Sequence, residues 1–93
     1  MTKEELRKYR KNEGKNPLNI EFGRRLKEIL DKRDMPSKAA IIDLGWSKST
    51  FYTYSSGRRR MRVDRFAQLI ERLSLTMSEI AYLCEPYWRD YNG

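Results

Sequence analysis

Residues 37–57 read S-K-A-A-I-I-D-L-G-W-S-K-S-T-F-Y-T-Y-S-S-G, two short helical patterns that meet at Gly45, a residue free to take positive φ. That is the layout of a helix-turn-helix. Rotating its second half by about 100° per residue puts Phe51 and Tyr54 on one side of a helix. Ser49, Tyr52, Thr53 and Ser56 fall on the other side, with Lys48 at its edge. A solvated helix face ordinarily mixes Glu with Lys, whereas this one offers hydroxyls, one cation and no acid, which suits a polyanion.

The charge distribution points the same way. The chain carries 20 Lys+Arg against 13 Asp+Glu, a net +7 over 93 residues. Six bases and one acid fall between residues 35 and 63, net +5, while residues 64–93 hold three bases and five acids, net −2. Such a polarity orients one face of a molecule toward phosphates. The length suits one small domain with a single modest core.

Several functions find no support. The chain has no histidine, so it lacks the usual general base and the commonest nitrogen ligand for metals. Its acids show no paired-carboxylate spacing, and there is neither a Gly-rich phosphate loop nor a cysteine cluster. The lone Cys84, with Ile80, Ala81 and Leu83 beside it, is expected to act as a small core hydrophobe. Neither an enzyme nor any metal or cofactor is therefore expected. Met1 to Asn16 is highly charged without the apolar centre of an export signal, and no apolar run approaches membrane-spanning length. A cytoplasmic protein without membrane contacts is the expectation.

The remaining patterns predict an all-α fold. Thr2-Lys3-Glu4-Glu5 matches a capping box and could open a short helix to about Lys11, or residues 1–18 could form a basic arm. Phe22, Leu26, Ile29 and Leu30 share one face of a helix over about 19–33, with Asn19 as the expected N-cap. Pro36 opens the next helix, whose buried stripe is Ala40, Ile41 and Leu44, and Gly45 ends it. Trp46 and Phe51 flank a Ser47 N-cap as a hydrophobic staple does, which makes Trp46 structural. After the run Arg58-Arg59-Arg60-Met61-Arg62, Asp64 is the expected cap of a helix with Phe66, Leu69, Ile70 and Leu73 inward. Thr76-Met77-Ser78-Glu79 is a second capping box, before a helix expected to bury Ile80, Ala81, Leu83 and Cys84 until Pro86 stops or kinks it. Tyr87, Trp88 and Tyr91 give residues 85–93 the character of an aromatic tail, a candidate subunit contact.

From Phe22 to Ile80 the chain resembles the lambda-repressor-like, Xre/Cro-type helix-turn-helix family. The likeness lies in F-G-R-R-L-K-E-I-L, in L-G-W-S-K-S-T-F-Y-T-Y-S-S-G and in V-D-R-F-A-Q-L-I-E-R-L-S-L-T-M-S-E-I, with Gly45, Phe51, Tyr54, Gly57, Val63 and Leu73 in register. The chain departs from the family at Ile41, where Ala is usual, at Ser37, where Gln is common, and at Ser55, where Glu is frequent. The resemblance implies a five-helix DNA-binding domain over residues 19–84, with the helix 47–55 in the major groove of double-stranded DNA.

On this basis Lys48, Ser49, Tyr52 and Thr53 are the expected base-reading residues. Ser37, Lys38, Ser47, Ser56, Arg58, Arg59, Arg60 and Arg62 are expected on the DNA backbone. The function that follows is transcription regulation, in the first instance repression, by a homodimer on a near-palindromic site. Two other classes are compatible with the sequence. One is an antitoxin or other protein-interaction module on the same fold. The other is an RNA-binding protein that uses the arginine run.

Overall fold

Asn16 and Pro17 open the part of the chain described by the computed structural model, which covers residues 16–92; the helix expected from Thr2 to Lys11 lies outside the described residues. Helix α1 runs Pro17–Lys32, and its cap is Asn16, whose side chain accepts from the Leu18 amide at 2.9 Å. This cap lies three residues before Asn19, the cap expected from the sequence. Pro17 decides the matter, because proline at the first helical position loses only an amide that has no intrahelical partner anyway. Asn19 instead lies inside the first turn, buried, accepting a hydrogen bond from the Tyr87 hydroxyl at 2.7 Å.

Four more helices follow: α2 (Ser37–Leu44), α3 (Lys48–Ser55), α4 (Val63–Arg72) and α5 (Met77–Asn92), with no strand among the described residues. Gly45 ends α2 at φ 67°, as its position predicts. The capping box of α5 forms both reciprocal bonds, Thr76 amide to Glu79 Oε1 at 2.9 Å and Glu79 amide to Thr76 Oγ1 at 3.1 Å. The Asp64 cap does not form. Helix α4 begins two residues earlier than that cap would place it, at Val63 after Arg62, and Asp64 sits in its first turn, 3.1 Å from the Arg62 guanidinium and near the positive end of the helix.

Helix α1 is the centre of the molecule, packed against α2, α3 and α5, while α2 also rests on α4. Its Phe22, Leu26, Ile29 and Leu30 join Ala40, Leu44, Phe51, Tyr54, Leu69, Leu73 and Leu83 in one buried core. Removing such side chains from water is the main stabilising term, at about 1.5–3 kcal/mol for each large one. Ile41, Phe66, Ile70 and Ile80 are only partly buried against this core. Ala81, expected inside, is exposed, because α5 turns the face of Leu83 and Tyr87 toward α1.

Pro86 does not end α5, which continues to Asn92, so residues from 85 on form its last turns. A proline has no amide hydrogen, and the Tyr82 carbonyl one turn earlier loses its usual donor. Arg25 of α1 replaces it, with Nη1 donating to the Tyr82 oxygen at 2.8 Å. Arg25 is buried, and its guanidinium bonds Glu21 through Nε at 2.9 Å and lies 4.4 Å from the centre of the Tyr82 ring. The Tyr82 hydroxyl then donates to Glu28 at 2.6 Å, closing the α1–α5 contact.

Candidate nucleic-acid interface

The local sequence fixes α3 at both ends. Ser47 caps it by accepting from the Thr50 amide at 3.1 Å. Trp46, just before, is buried against Tyr54 with ring centres 5.8 Å apart, and its indole NH donates to Gln68 of α4 at 2.8 Å. Arg65 covers the other side of that indole at 5.4 Å. Trp46 is thus a structural anchor, as its position in the staple suggests. At the far end Gly57, at φ 79°, presses against the backbone of Ile20, where an added Cβ would lie 2.6 Å from that residue's Cα and N.

Midway along the crossing of α1 and α3, a Cβ on Gly23 would stand 2.1 Å from the Ser55 carbonyl oxygen. A glycine inside a helix is the one sequence signal that could have marked this close approach. Ser55 is buried there, and its hydroxyl is the single buried side-chain polar atom without a hydrogen-bond partner among the described residues.

With its inner face pinned in this way, α3 presents its outer face to solvent. Ser49, Tyr52, Thr53 and Ser56 surround an open hollow that Arg58 completes. Tyr52 is 42% exposed and its ring meets Phe51 edge-on at 5.5 Å. Lys48 stands exposed at the first position of the helix, outside the hollow. Three of the hydroxyls are already engaged. Thr53 Oγ1 donates to the Ser49 carbonyl at 2.8 Å, Ser56 Oγ donates to the Thr53 carbonyl at 3.4 Å, and Ser47 Oγ donates to Thr50 Oγ1 at 2.8 Å. All three keep lone pairs to accept with, but none keeps a donor for a phosphate or a base acceptor.

Ser37 and Lys38 lie in the first turn of α2, also outside that hollow. Neither α2 nor α3 has an acidic residue in its first turn, so the positive ends of both helices are left uncompensated. Arg59 is exposed on the loop, and Arg62 is held by Asp64. Arg60 turns elsewhere. It lines a second hollow with Phe22, Met61, Val63, Phe66, Cys84 and Tyr87. Burial pushes the Tyr87 phenol up from its ordinary value, and the Arg60 charge works against that. Burial likewise raises the Cys84 thiol.

The cations divide by partner. Arg24, Arg25, Lys32, Arg33, Arg62 and Arg89 pair with carboxylates, and Arg72 donates to the Leu44 carbonyl at the end of α2. Arg33 also reaches the carbonyls of Leu73 and Ser74 at the end of α4. The side chains of Lys27, Lys38, Lys48, Arg58, Arg59 and Arg60 have no ion pair or hydrogen bond among the described residues. Five of these six belong to α2, α3 and the loop after it, and no acid lies in the sequence between Asp43 and Asp64.

The surface so built offers hydrogen-bond donors and positive charge on a rigid helical support. No group of three or more acidic or cysteine side chains able to hold a metal ion occurs among the described residues. No described helix is long and apolar enough to cross a membrane. Comparison with protein-family models, with curated proteins and with solved structures finds no match to this chain.

Proposed function

We propose that this chain is a small transcription regulator that binds double-stranded DNA, with the lambda-repressor-like arrangement suggested by its sequence and α3 in the major groove. The observation that carries the proposal is the partition of its cations. Among the described residues most arginines elsewhere are engaged by carboxylates or helix-end carbonyls, with Arg65 on Gln68 and Trp46, while Lys38 of α2, Lys48 of α3 and Arg58 and Arg59 of the following loop are left for an external anion. In this reading Ser37, Lys38, Arg58 and Arg59 hold the phosphate backbone and set the register.

Base recognition falls chiefly to Lys48, which has no internal partner and reaches guanine O6 or N7. Ser49 and Tyr52 add contacts, and Thr53 serves only as an acceptor because its proton is spent on the Ser49 carbonyl. A face with no Asn, Gln or Arg on the helix itself discriminates modestly, at about 1–3 kcal/mol for one good contact.

The test is selection of genomic fragments by the purified protein, followed by titration of the recovered duplex with wild type and with the Lys48→Ala and Arg59→Ala variants. A shared sequence should emerge, with Lys48→Ala relaxing base preference and Arg59→Ala weakening all sequences alike. Weak binding without enrichment of any sequence would overturn the proposal and leave the helices as a scaffold for a protein partner.

A further inference from the structure

The hollow that takes Arg60 away from the α3 face has a volume of about 200 Å³ and draws its lining from α1, the loop after α3, α4 and α5. Three of the side chains around it are aromatic and hold one another. Phe22, buried in the core, meets Phe66 edge-on with ring centres 6.0 Å apart and Tyr87 at 6.2 Å. Tyr87 is fixed further by its hydroxyl, which donates to the buried Asn19. Its proton is spent there, so the ring alone is offered to the hollow. The wall is therefore set by contacts within the chain, and an occupant pays little to order it.

Arg60 is the one charged residue among those that line this hollow, and its side chain has no ion pair or hydrogen bond among the described residues. Its charge is felt by the Tyr87 phenol. Arg58 and Arg59, its neighbours in the loop, do not line the hollow. An apolar concavity with a single charged group is the usual form of a small-molecule site, the charge fixing the orientation of an otherwise apolar body.

The chemistry of the lining narrows the ligand. One guanidinium presents two parallel N–H donors, which match the two oxygens of a carboxylate. A phosphate dianion would be left half-neutralised, because no second cation lines the hollow. The rings of Phe22, Phe66 and Tyr87 and the thioether of Met61 favour an aromatic guest, which they meet edge to face and through sulfur. A cavity of about 150 Å³ is enough for benzene, so this one takes a single ring and a short linker. We propose that the hollow binds a small carboxylate bearing one aromatic ring, the ring among Phe22, Phe66 and Tyr87 and the carboxylate on Arg60.

Because the hollow is open on one side, affinity is modest, with Kd on the order of 0.1–1 mM. The occupant joins the loop of Arg60 and Met61 to α1 and α5. This inference stands apart from DNA recognition and is tested without DNA.

Amide NMR of the isotope-labelled full chain, titrated with phenylacetate to about 10 mM, reads site and affinity together. Shifts should concentrate at Met61, Phe66, Cys84 and Tyr87. Phenylacetamide, which keeps the shape and loses the charge, and acetate, which loses the ring, should each bind about tenfold more weakly or less. Cyclohexylacetate should also bind more weakly than phenylacetate. Arg60→Gln should weaken phenylacetate about tenfold and leave phenylacetamide unchanged, whereas Arg59→Gln removes the same charge from the same loop and should change neither. Thermal melts report whether each variant keeps the fold. Absent or scattered shifts, an amide or a cyclohexyl analogue that binds as well as phenylacetate, or equal losses in the Arg59 and Arg60 variants would each overturn the proposal.

Discussion

Ser74 is held at φ 50°, just past the end of α4, in the left-handed region where a side chain is strained. The Leu75 amide bonds back to the Ile70 carbonyl at 3.0 Å, the closure that commonly carries glycine at this point. Left-handed backbone costs a residue with a Cβ about 1–2 kcal/mol, whereas glycine adds about 0.4–1 kcal/mol of freedom to the unfolded chain. Ser74→Gly is therefore expected to stabilise by about 0.5–1 kcal/mol and raise Tm by a few degrees in calorimetry. An unchanged or lower Tm would mean that the serine side chain stabilises this turn. Glu21 makes a second case. Hydrogen bonds from Arg24 and then Arg25 hold its carboxyl at about 2, against an ordinary 4.5. A pKa lowered by folding gives stability that is complete above 4.5 and is lost as pH falls toward 2. Glu28, bonded chiefly by the Tyr82 hydroxyl, is lowered too. In Glu79 the effect of burial is overcome by the Thr76 amide and Arg33. Glu21→Gln should therefore melt below wild type at pH 7, and the gap should shrink as pH approaches 2. An equal gap at both ends would show that the carboxylate charge contributes nothing there.

Where α1 crosses α3, the spacing between the two elements is set by Gly23. A Cβ there would meet the Ser55 carbonyl oxygen at 2.1 Å and its carbon at 2.7 Å, and backbone atoms have no rotamer by which to move aside. Alanine gains about 1 kcal/mol of helix propensity over glycine, and the clash opposes it with about 1–3 kcal/mol or more. Gly23→Ala is thus expected to lose stability in urea and to displace α3. A variant more stable than wild type would show that the crossing has room. This contact marks the limit of what the sequence makes legible. Signals confined to a few neighbouring residues are readable, as with Gly45, the Ser47 cap and the Thr76–Glu79 box. Asn16 and Asn19 both look like caps, and only the position of Pro17 separates them. Pro86 reads as a helix stop or kink because the donor that compensates for it, Arg25, lies on another helix. The hydroxyl face of α3 follows from rotation alone, and Ser49, Tyr52, Thr53 and Ser56 do gather around one hollow. Residue identity does not tell that Thr53 and Ser47 spend their protons internally, or that Arg60 leaves this face for Tyr87.

At the scale of the whole molecule, the decisive property is that its excess charge is positional rather than diffuse. Arg24 is exposed but neutralised by Glu21 and Glu28, and Arg72 is spent on the Leu44 carbonyl. Lys38, Lys48, Arg58 and Arg59 have no such partners among the described residues. If Lys38, Arg58 and Arg59 neutralise phosphates while Lys48 reads bases, each of the three releases condensed counterions, and the affinity for duplex DNA falls with salt at a slope of about −0.9 for each contact. Three contacts give a slope near −3 on logarithmic axes, or a loss of about one to two orders of magnitude between about 50 and 200 mM salt. Fluorescence anisotropy on one duplex over that range measures the slope directly. Arg59→Ala should reduce its magnitude by about one, because it removes one phosphate contact. Arg24→Ala removes the same formal charge from the molecule and should leave the slope unchanged, because that arginine is already neutralised within α1. If both variants reduce the slope equally, the protein attracts DNA through its net charge alone, and α3 with its loop is not a built interface.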